Sequence, residues 1–418
     1  MIAIIPERVI GMPRNTDRHR PESAFRPSTP LQTASDSFTG KVGYSRKRAQ
    51  PKLNWEKEFM KIAQIAPLYE SVPPKLYGGT ERVVSYLTEE LVRSGHEVTL
   101  FASGDSVTRA QLESGCEKAL RLTRTCMDPL AHHTVLLDKV LARANDFDIL
   151  HFHTDYTHFP ATRTLQLPTV TTLHGRLDLP DLLPLYRQFA RQPVVSISQS
   201  QRQPLGPVNW VGNVYHGLPR NLYHPQPHQG DYLAFLGRIS PEKRPDRAIK
   251  IALKAGMPLK IAAKVDEADR QYFETTIKPL LDQPGIEFVG EINEAQKDIF
   301  LGNAYAYLFP IDWPEPFGLS MIEAMACGTP TIAFSCGSVP EIIDDGVTGF
   351  IVATEEEAVN AVKRVSGLSR AACRATFERR FTACRMAKDY LSIYESLVDN
   401  LPLSHTVQSM EFSTTVLS

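Results

Sequence analysis

Two carboxylates in an E-x7-E arrangement, Glu315 and Glu323, sit in the run Trp313-Pro314-Glu315-Pro316-Phe317-Gly318-Leu319-Ser320-Met321-Ile322-Glu323-Ala324-Met325-Ala326-Cys327-Gly328. Paired carboxylates are good acceptors for neighbouring hydroxyls. Gly318 and Leu319 open a helix, where free N–H groups attract anions. Glu323 is either an ordinary exposed helix carboxylate or a buried one. Its neighbours Ile322, Ala324, Met325 and Ala326 are apolar and favour a partly buried edge, where a charge needs a reason to be.

A second cluster is Gly237-Arg238-Ile239-Ser240-Pro241-Glu242-Lys243-Arg244, with three cations at the end of a predicted strand. Arg offers a fork and Lys a point charge to phosphate oxygens, so Arg238 and Lys243 suit a diphosphate. The plain alternative is a solvated basic loop. A third is Tyr77-Gly78-Gly79-Thr80-Glu81-Arg82, two glycines before a helix. It serves either as a ligand approach to backbone N–H groups or as a tight turn. No G-x-G-x-x-G occurs, which removes most support for a nicotinamide-dependent dehydrogenase.

All three clusters follow predicted strands. Short apolar strands alternate with amphipathic helices: 62–66, helix 80–94 closed by Gly95, 98–102, 149–152, 169–173 and 194–197. Residues 199–230 fit neither period and hold five prolines, as a connector would. The pattern restarts at 232–236, then helix 245–255, 259–263, helix 267–281, 286–289, helix 294–302, 306–309, helix 318–326 and 331–334. A long helix is expected over about 370–398. Such βα alternation predicts parallel sheets covered by helices. Two open α/β domains bind ligands between the carboxyl ends of their strands.

The length of 418 residues accommodates two domains, and 42% apolar with 22% charged residues is ordinary for a globular chain. The net charge of −1 argues against a nucleic-acid partner. It conceals a split: residues 1–59 carry 11 basic and 6 acidic side chains, against 35 and 41 in the remainder. The basic segment reads as a disordered extension, with a targeting peptide or a start at Met60 as alternatives. Its Arg46-Lys47-Arg48 run reads as a solvated charge cluster. The six cysteines form no C-x-x-C pair, so reduced thiols are expected rather than a disulfide scaffold or a zinc site. No signal peptide or membrane span is predicted, and a cytoplasmic location follows, with peripheral contact at the inner membrane left open.

The combination G-R-x-x-x-E-K, then E-P-F-G-L-S-M-I-E-A-M-A-C-G-T-P, resembles the retaining glycosyltransferases of family 4, the glycosyl transferases group 1 of GT-B fold. The resemblance spans about residues 60–395. It includes Gly78-Gly79-Thr80, His153, Leu173-His174-Gly175, Val214-Tyr215-His216-Gly217 and Gly337-Ser338-Val339-Pro340-Glu341. It implies an α/β protein with two Rossmann-like, doubly wound domains facing each other across a cleft. The expected division is an acceptor domain at 60–215, a nucleotide-sugar domain at 216–370, a helix at 371–400 crossing back, and a loose tail at 401–418.

The implied function is a hexosyltransferase. It moves a sugar from a nucleoside-diphosphate sugar to an acceptor hydroxyl, with retention and with neither metal nor cofactor. Arg238 and Lys243 would hold the diphosphate, approached from the other domain by Gly78, Gly79 and Thr80. Glu323 would accept from the ribose. Glu315 would bind the transferred sugar, with backbone N–H groups of Phe317, Gly318 and Leu319, and His174 would contact it near the reacting carbon. A UDP-sugar is slightly favoured. A lipid-linked sugar, a polysaccharide precursor and a small metabolite all stand as acceptors. Rival readings are a GT-B nucleotide-sugar epimerase or phosphorylase, and a non-catalytic nucleotide-sugar-binding protein. The chain departs from the family at His216-Gly217-Leu218-Pro219, where Asn-Gly-x-Asp is usual, at Ser338 in place of glycine, and at Ala262-Ala263-Lys264.

Asp146-Phe147-Asp148 matches the D-x-D pattern of metal-dependent glycosyltransferases. Its place before a strand makes Asp148 a strand-entrance cap instead. His151 and His153 alternate on one strand face, with no further zinc ligands at suitable spacing.

Overall fold

Four strands, Ile149–Phe152, Thr169–Thr172, Ala306–Phe309 and Thr331–Phe334, are buried at every residue. A strand covered on both faces has no solvent side to mark with polar alternation, which is the condition inside a parallel sheet. The computed structural model describes residues 59–400, except 76, 77, 122, 124, 125, 227 and 229. The expected basic extension up to residue 58, its Arg46-Lys47-Arg48 run, Tyr77 and the 401–418 tail lie outside the described residues.

The first sheet holds β1 (Lys61–Ile65), β2 (Glu97–Ser103), β3 (Gln111–Cys116), β4 (Ile149–Phe152), β5 (Thr169–Thr172), β6 (Val194–Ser196) and β7 (Trp210–Asn213). Their order is β3-β2-β1-β4-β5-β6-β7, and every pair is parallel. The second sheet holds β8 (Leu233–Arg238), β9 (Leu259–Lys264), β10 (Ile286–Gly290), β11 (Ala306–Phe309), β12 (Thr331–Phe334) and β13 (Gly349–Val352), in the order β10-β9-β8-β11-β12-β13. Strand order reverses between β1 and β4 and between β8 and β11. Doubly wound sheets open a crevice at such switch points, beyond the carboxyl ends of the strands.

Helices cover both sheets by apolar stripes. The Gly79–Arg93 helix buries Val83, Val84, Leu87 and Leu91, the face read from the sequence. The Pro245–Ala255 helix buries Ala248, Ile249, Ile251 and Ala252 and ends at Gly256 in the left-handed region.

Three expectations differ. Within the supposed connector 199–230, Trp210–Asn213 forms edge strand β7. It is short, only partly buried and contains Gly212, so it carries little strand signal. The helix expected over 267–281 is broken into short turns, with a wider π turn at Phe273–Ile277. Pro279 lies just beyond that turn and lacks the N–H that a regular helix would use.

The helix expected over 370–398 is two helices, Arg370–Arg380 and Ala383–Asp399. Phe381 and Thr382 separate them because their backbone pairs with Leu218 instead. Leu218 N–H donates to Phe381 O at 2.9 Å, and Ala383 N–H donates to Leu218 O at 2.7 Å. Cys373, Phe377 and Phe381 belong to the core around the second sheet. Ala383, Met386, Ala387, Tyr390 and Tyr394 pack with Val83, Leu87 and Leu91 under the first. The chain therefore crosses between domains twice, side by side, at Leu218 and at Thr382. All six cysteines are free thiols. Among the described residues no helix is long and apolar enough to cross a membrane.

Candidate active site

A cavity of about 460 Å³ opens between the carboxyl ends of the two sheets. Gly78, Gly79, Thr80 and His174 line it from the first domain. Arg238, Lys243, Glu315, Phe317, Gly318, Leu319 and Glu323 line it from the second. The residues to which the family resemblance gives a role thus border one space.

Arg238 ends β8 with its guanidinium 2.9 Å from Glu242 and 3.7 Å from both Asp266 and Asp269. Lys243 donates to the Glu315 carboxylate. Its ammonium also lies 5.2 Å from the Trp313 ring centroid and 5.6 Å from that of Phe309. Two aromatic faces and a carboxylate hold this cation at the cavity wall. Arg244, the third cation of the same loop, does not line the cavity. It pairs with Asp246 at 2.9 Å and Asp312 at 2.8 Å, so it stabilises the start of the Pro245–Ala255 helix.

The loop carrying Glu315 and Phe317 is fixed from behind by residues 337 and 338. Gly337 has φ +58°, and a Cβ there would overlap the Glu315 backbone. Ser338 N–H donates to Glu315 O at 3.0 Å, and the Ser338 hydroxyl donates to Phe317 O at 2.7 Å. The departure from the usual glycine at 338 thus supplies a strut. Gly318 adopts φ +81°, where a Cβ would approach Met321 Cε to 2.7 Å, and the residues that follow it, Leu319 and Ser320, line the cavity. Glu323 lies one turn inside the Leu319–Ala326 helix and is buried, with Lys297 Nζ 3.0 Å from its carboxylate.

The first-domain wall is rich in histidine. His174 Nε2 is 2.9 Å from His153 Nδ1, and the His174 and His216 rings stack with centroids 5.3 Å apart. His216, the family departure after the last first-domain strand, also meets the Phe317 ring edge-on at 4.8 Å. Burial lowers His174 to about 3 and drives His151, His153 and His216 well below the ordinary imidazole value, so all four are neutral. Burial also pushes the Glu81 carboxyl up to about 7. Asp155, at φ +52°, is raised by burial as well.

Several contributors to this region carry no local sequence signal. Lys297 is one, and His216, noted in the sequence only as part of a family stretch, had no role assigned to it. Arg82 and Glu294 are a third, an ion pair between the first and second domains to which the Tyr223 hydroxyl also donates. Glu341 accepts from the N–H groups of Gln199 and Ser200, each at 2.7 Å, and so ties the second domain to a short first-domain helix. Arg82 and Lys297 could have been suspected only as cations beside expected phosphate or carboxylate sites. Asp148, by contrast, accepts from Lys61 N–H at 2.7 Å and Asp146 pairs with Arg143, as structural caps at the amino ends of the central strands β1 and β4. Among the described residues no cluster of three or more His, Cys, Asp or Glu could hold a metal ion.

Residues 224–373 match the family described as Glycosyl transferases group 1, and residues 77–206 match Glycosyltransferase Family 4. A phosphatidyl-myo-inositol mannosyltransferase of Mycolicibacterium smegmatis is 25% identical over 327 residues, covering 71% of this chain and 82% of that protein. The sucrose-phosphate synthase of Thermosynechococcus elongatus superposes with a TM-score of 0.66 at 19% identity, covering 81% of this chain and 99% of its own. The Anabaena HepE protein in complex with UDP and glucose superposes with a TM-score of 0.64 at 19% identity, over 81% of this chain and all 100% of its own. Two facing doubly wound sheets, a cleft lined from both, and family matches in each half place this chain among the family 4 glycosyltransferases of GT-B fold.

Proposed function

We propose that the chain transfers a sugar from a nucleoside-diphosphate sugar, a UDP-sugar in first preference, to an acceptor hydroxyl, with retention and without a metal ion. The observation that carries this reading is the convergence of Arg238, Lys243, Glu315, Glu323 and the Phe317–Leu319 backbone on one cavity facing Gly79. Cations and helix-start N–H groups suit a diphosphate, and the two carboxylates suit hydroxyls. The neighbour bound to UDP and glucose supports a nucleotide-sugar in such a cleft.

In the proposed reaction the bond from the anomeric carbon to the diphosphate oxygen breaks, and its electron pair leaves with the diphosphate. Arg238 and Lys243 stabilise that charge. The acceptor oxygen bonds to the same face of the carbon, and its proton passes to the departing diphosphate. Glu315 is engaged by Lys243, which fits a sugar-binding carboxylate better than a free nucleophile. The acceptor enters from the first-domain side, past Tyr69, Arg121 and Asp155. Lipid-linked sugars, polysaccharide precursors and small metabolites are the classes to try. A lipid-linked acceptor would bring peripheral membrane contact.

Thermal-shift titration with UDP-glucose, GDP-mannose and ADP-glucose tests the donor, because a bound ligand raises the melting temperature by mass action. Transfer should survive EDTA, and the anomeric configuration of the product, read by NMR, should equal that of the donor. Metal-reversible loss of activity, or an inverted product, would overturn the corresponding part of the reading. Free epimerised donor without acceptor dependence would indicate an epimerase instead.

A further inference from the structure

A chain of buried polar groups leads from the cavity to the crossing helix Ala383–Asp399. His174 Nε2 is 2.9 Å from His153 Nδ1, and His153 Nε2 is 2.9 Å from Gln64 Oε1. Gln64 Nε2 is 3.0 Å from the Tyr394 hydroxyl, which lies 2.6 Å from His151 Nδ1. His151 Nε2 is 2.7 Å from Thr172 Oγ1, itself 2.8 Å from the Tyr390 hydroxyl. Gln64, His151, Tyr390 and Tyr394 are each 0% exposed and His153 2%. Buried polar atoms persist only when paired, so the direction of each bond is constrained by the next.

The directions can be followed. An amide oxygen only accepts, so His153 carries its proton on Nε2. A neutral His153 then presents a bare Nδ1, and His174 must donate to it from Nε2. His174 Nδ1 is left bare. That atom is buried and has no hydrogen-bond partner among the described residues, on a side chain that lines the cavity. At the other end the Gln64 amide nitrogen donates to the Tyr394 hydroxyl at 3.0 Å, with His151 Nδ1 farther off at 3.4 Å, and Tyr394 donates its own proton to His151.

We propose that His153, Gln64 and Tyr394 are positioning residues that keep the His174 proton on Nε2, so that bare Nδ1 accepts a hydrogen bond from a hydroxyl of the bound sugar. The sugar half of this rests on the function proposed above; the tautomer half does not. Two residues of the first domain and one of the crossing helix thereby set the polarity of a group at the reaction site. Gln64, buried in β1, and Tyr394, far along the chain, do not line the cavity.

Long-range 1H–15N correlation NMR of the full chain, without ligand, reads the tautomer. The His174 signal, identified by its loss in His174→Gln, should show a pyridine-type Nδ1 and a protonated Nε2. In Gln64→Leu and in Tyr394→Phe it should become a mixture of tautomers. Isothermal titration then compares UDP-glucose with UDP. In both variants the Kd of UDP-glucose should rise on the order of tenfold, one mis-set hydrogen bond, while that of UDP stays put. A proton on Nδ1 in the wild-type chain, as a turned-over Gln64 would impose, overturns the proposal. An unchanged tautomer in Tyr394→Phe does so too, as does an equal loss of UDP and UDP-glucose affinity. Tyr394→Phe removes one oxygen and keeps the ring, so it decides the matter if Gln64→Leu fails to fold. Should the wild-type chain bind neither UDP nor UDP-glucose, the donor reading fails while the NMR result stands by itself.

Discussion

Lys243 and Glu315, 72 residues apart in sequence, are joined by an ion pair at the wall of the interdomain cavity. The pair is partly buried, with side chains 16% and 12% exposed. Each is proposed to serve a different part of the donor, the lysine its diphosphate and the glutamate its sugar. Each satisfies the other, so neither charge is left unpaired in a poorly hydrated wall. On the proposed function, a diphosphate arriving beside Arg238 would compete for the ammonium and free Glu315 for hydroxyls.

On that reading, replacing the lysine removes a charge aimed at the leaving group. Lys243→Ala should lower kcat for sugar transfer by about a hundredfold to a thousandfold, the usual effect of deleting one charge-stabilising donor. Lys243→Arg should not restore it fully, because the planar fork of a guanidinium spreads its charge where the lysine presents a compact point charge. Steady-state kinetics with the donor found by titration check this. Wild-type turnover in Lys243→Ala would remove the lysine from the mechanism.

Lys297 and Glu323 form the second pair, and here the carboxylate side chain is only 4% exposed. Lys297→Met leaves that carboxylate buried without its cation and should destabilise the chain by about 3 kcal/mol. Adding Glu323→Gln to Lys297→Met should recover most of the loss, since the stranded charge is gone. Urea denaturation of the single and double variants separates the outcomes. Additive losses would mean that the two side chains do not act as a pair.

Much of the fold and the site was legible because it is local. The E-x7-E run, the Gly237–Arg244 loop and Gly78-Gly79 each follow a strand whose burial shows in its composition, and strand ends converge in a doubly wound sheet. What escaped is what the chain decides at long range. Arg82 with Glu294, and Glu341 with Gln199 and Ser200, join residues of different domains and leave no periodic trace. The break at Phe381-Thr382 was hidden because residues on both sides suit a helix, and only the pairing with Leu218 interrupts them. Ser338 looked like a loss of family pattern, yet its hydroxyl bonds the Phe317 carbonyl.

Glu341 offers a test of the link between domains. Its carboxylate accepts two backbone N–H groups at 2.7 Å and the Tyr215 hydroxyl at 3.0 Å. Glu341→Ala should cost about 2 kcal/mol of stability, in the range for charge-assisted hydrogen bonds to a carboxylate. Glu341→Gln, which keeps one acceptor oxygen, should cost less. Thermal melts of the two variants check the order. A Glu341→Gln variant as damaged as Glu341→Ala would show that the charge matters rather than the acceptors.

The buried histidines set the acid limit. Burial holds His151, His153, His158, His174 and His216 below the ordinary imidazole value, with His158 and His174 at about 3. Unfolded, each titrates near 6.5. Above about pH 6.5 both states are neutral at these groups and stability is unaffected by them. Below it the unfolded chain takes up protons that the folded chain refuses, so stability falls as pH falls. Each histidine contributes up to about 1.4 kcal/mol per pH unit in that window. Glu81 works in the opposite sense. Its folded value of about 7 means that stability falls as pH rises from its unfolded value through 7, and burial raises Glu70 and Asp155 in the same sense. His158 lies away from the cavity lining, stacked on Phe152 at 3.7 Å and 2.8 Å from the Thr171 hydroxyl. His158→Gln should therefore flatten the acid slope by about one proton's worth while leaving nucleotide binding unchanged. Urea midpoints between pH 7 and pH 5 measure that slope, and an unchanged slope would mean that His158 is protonated in the folded chain.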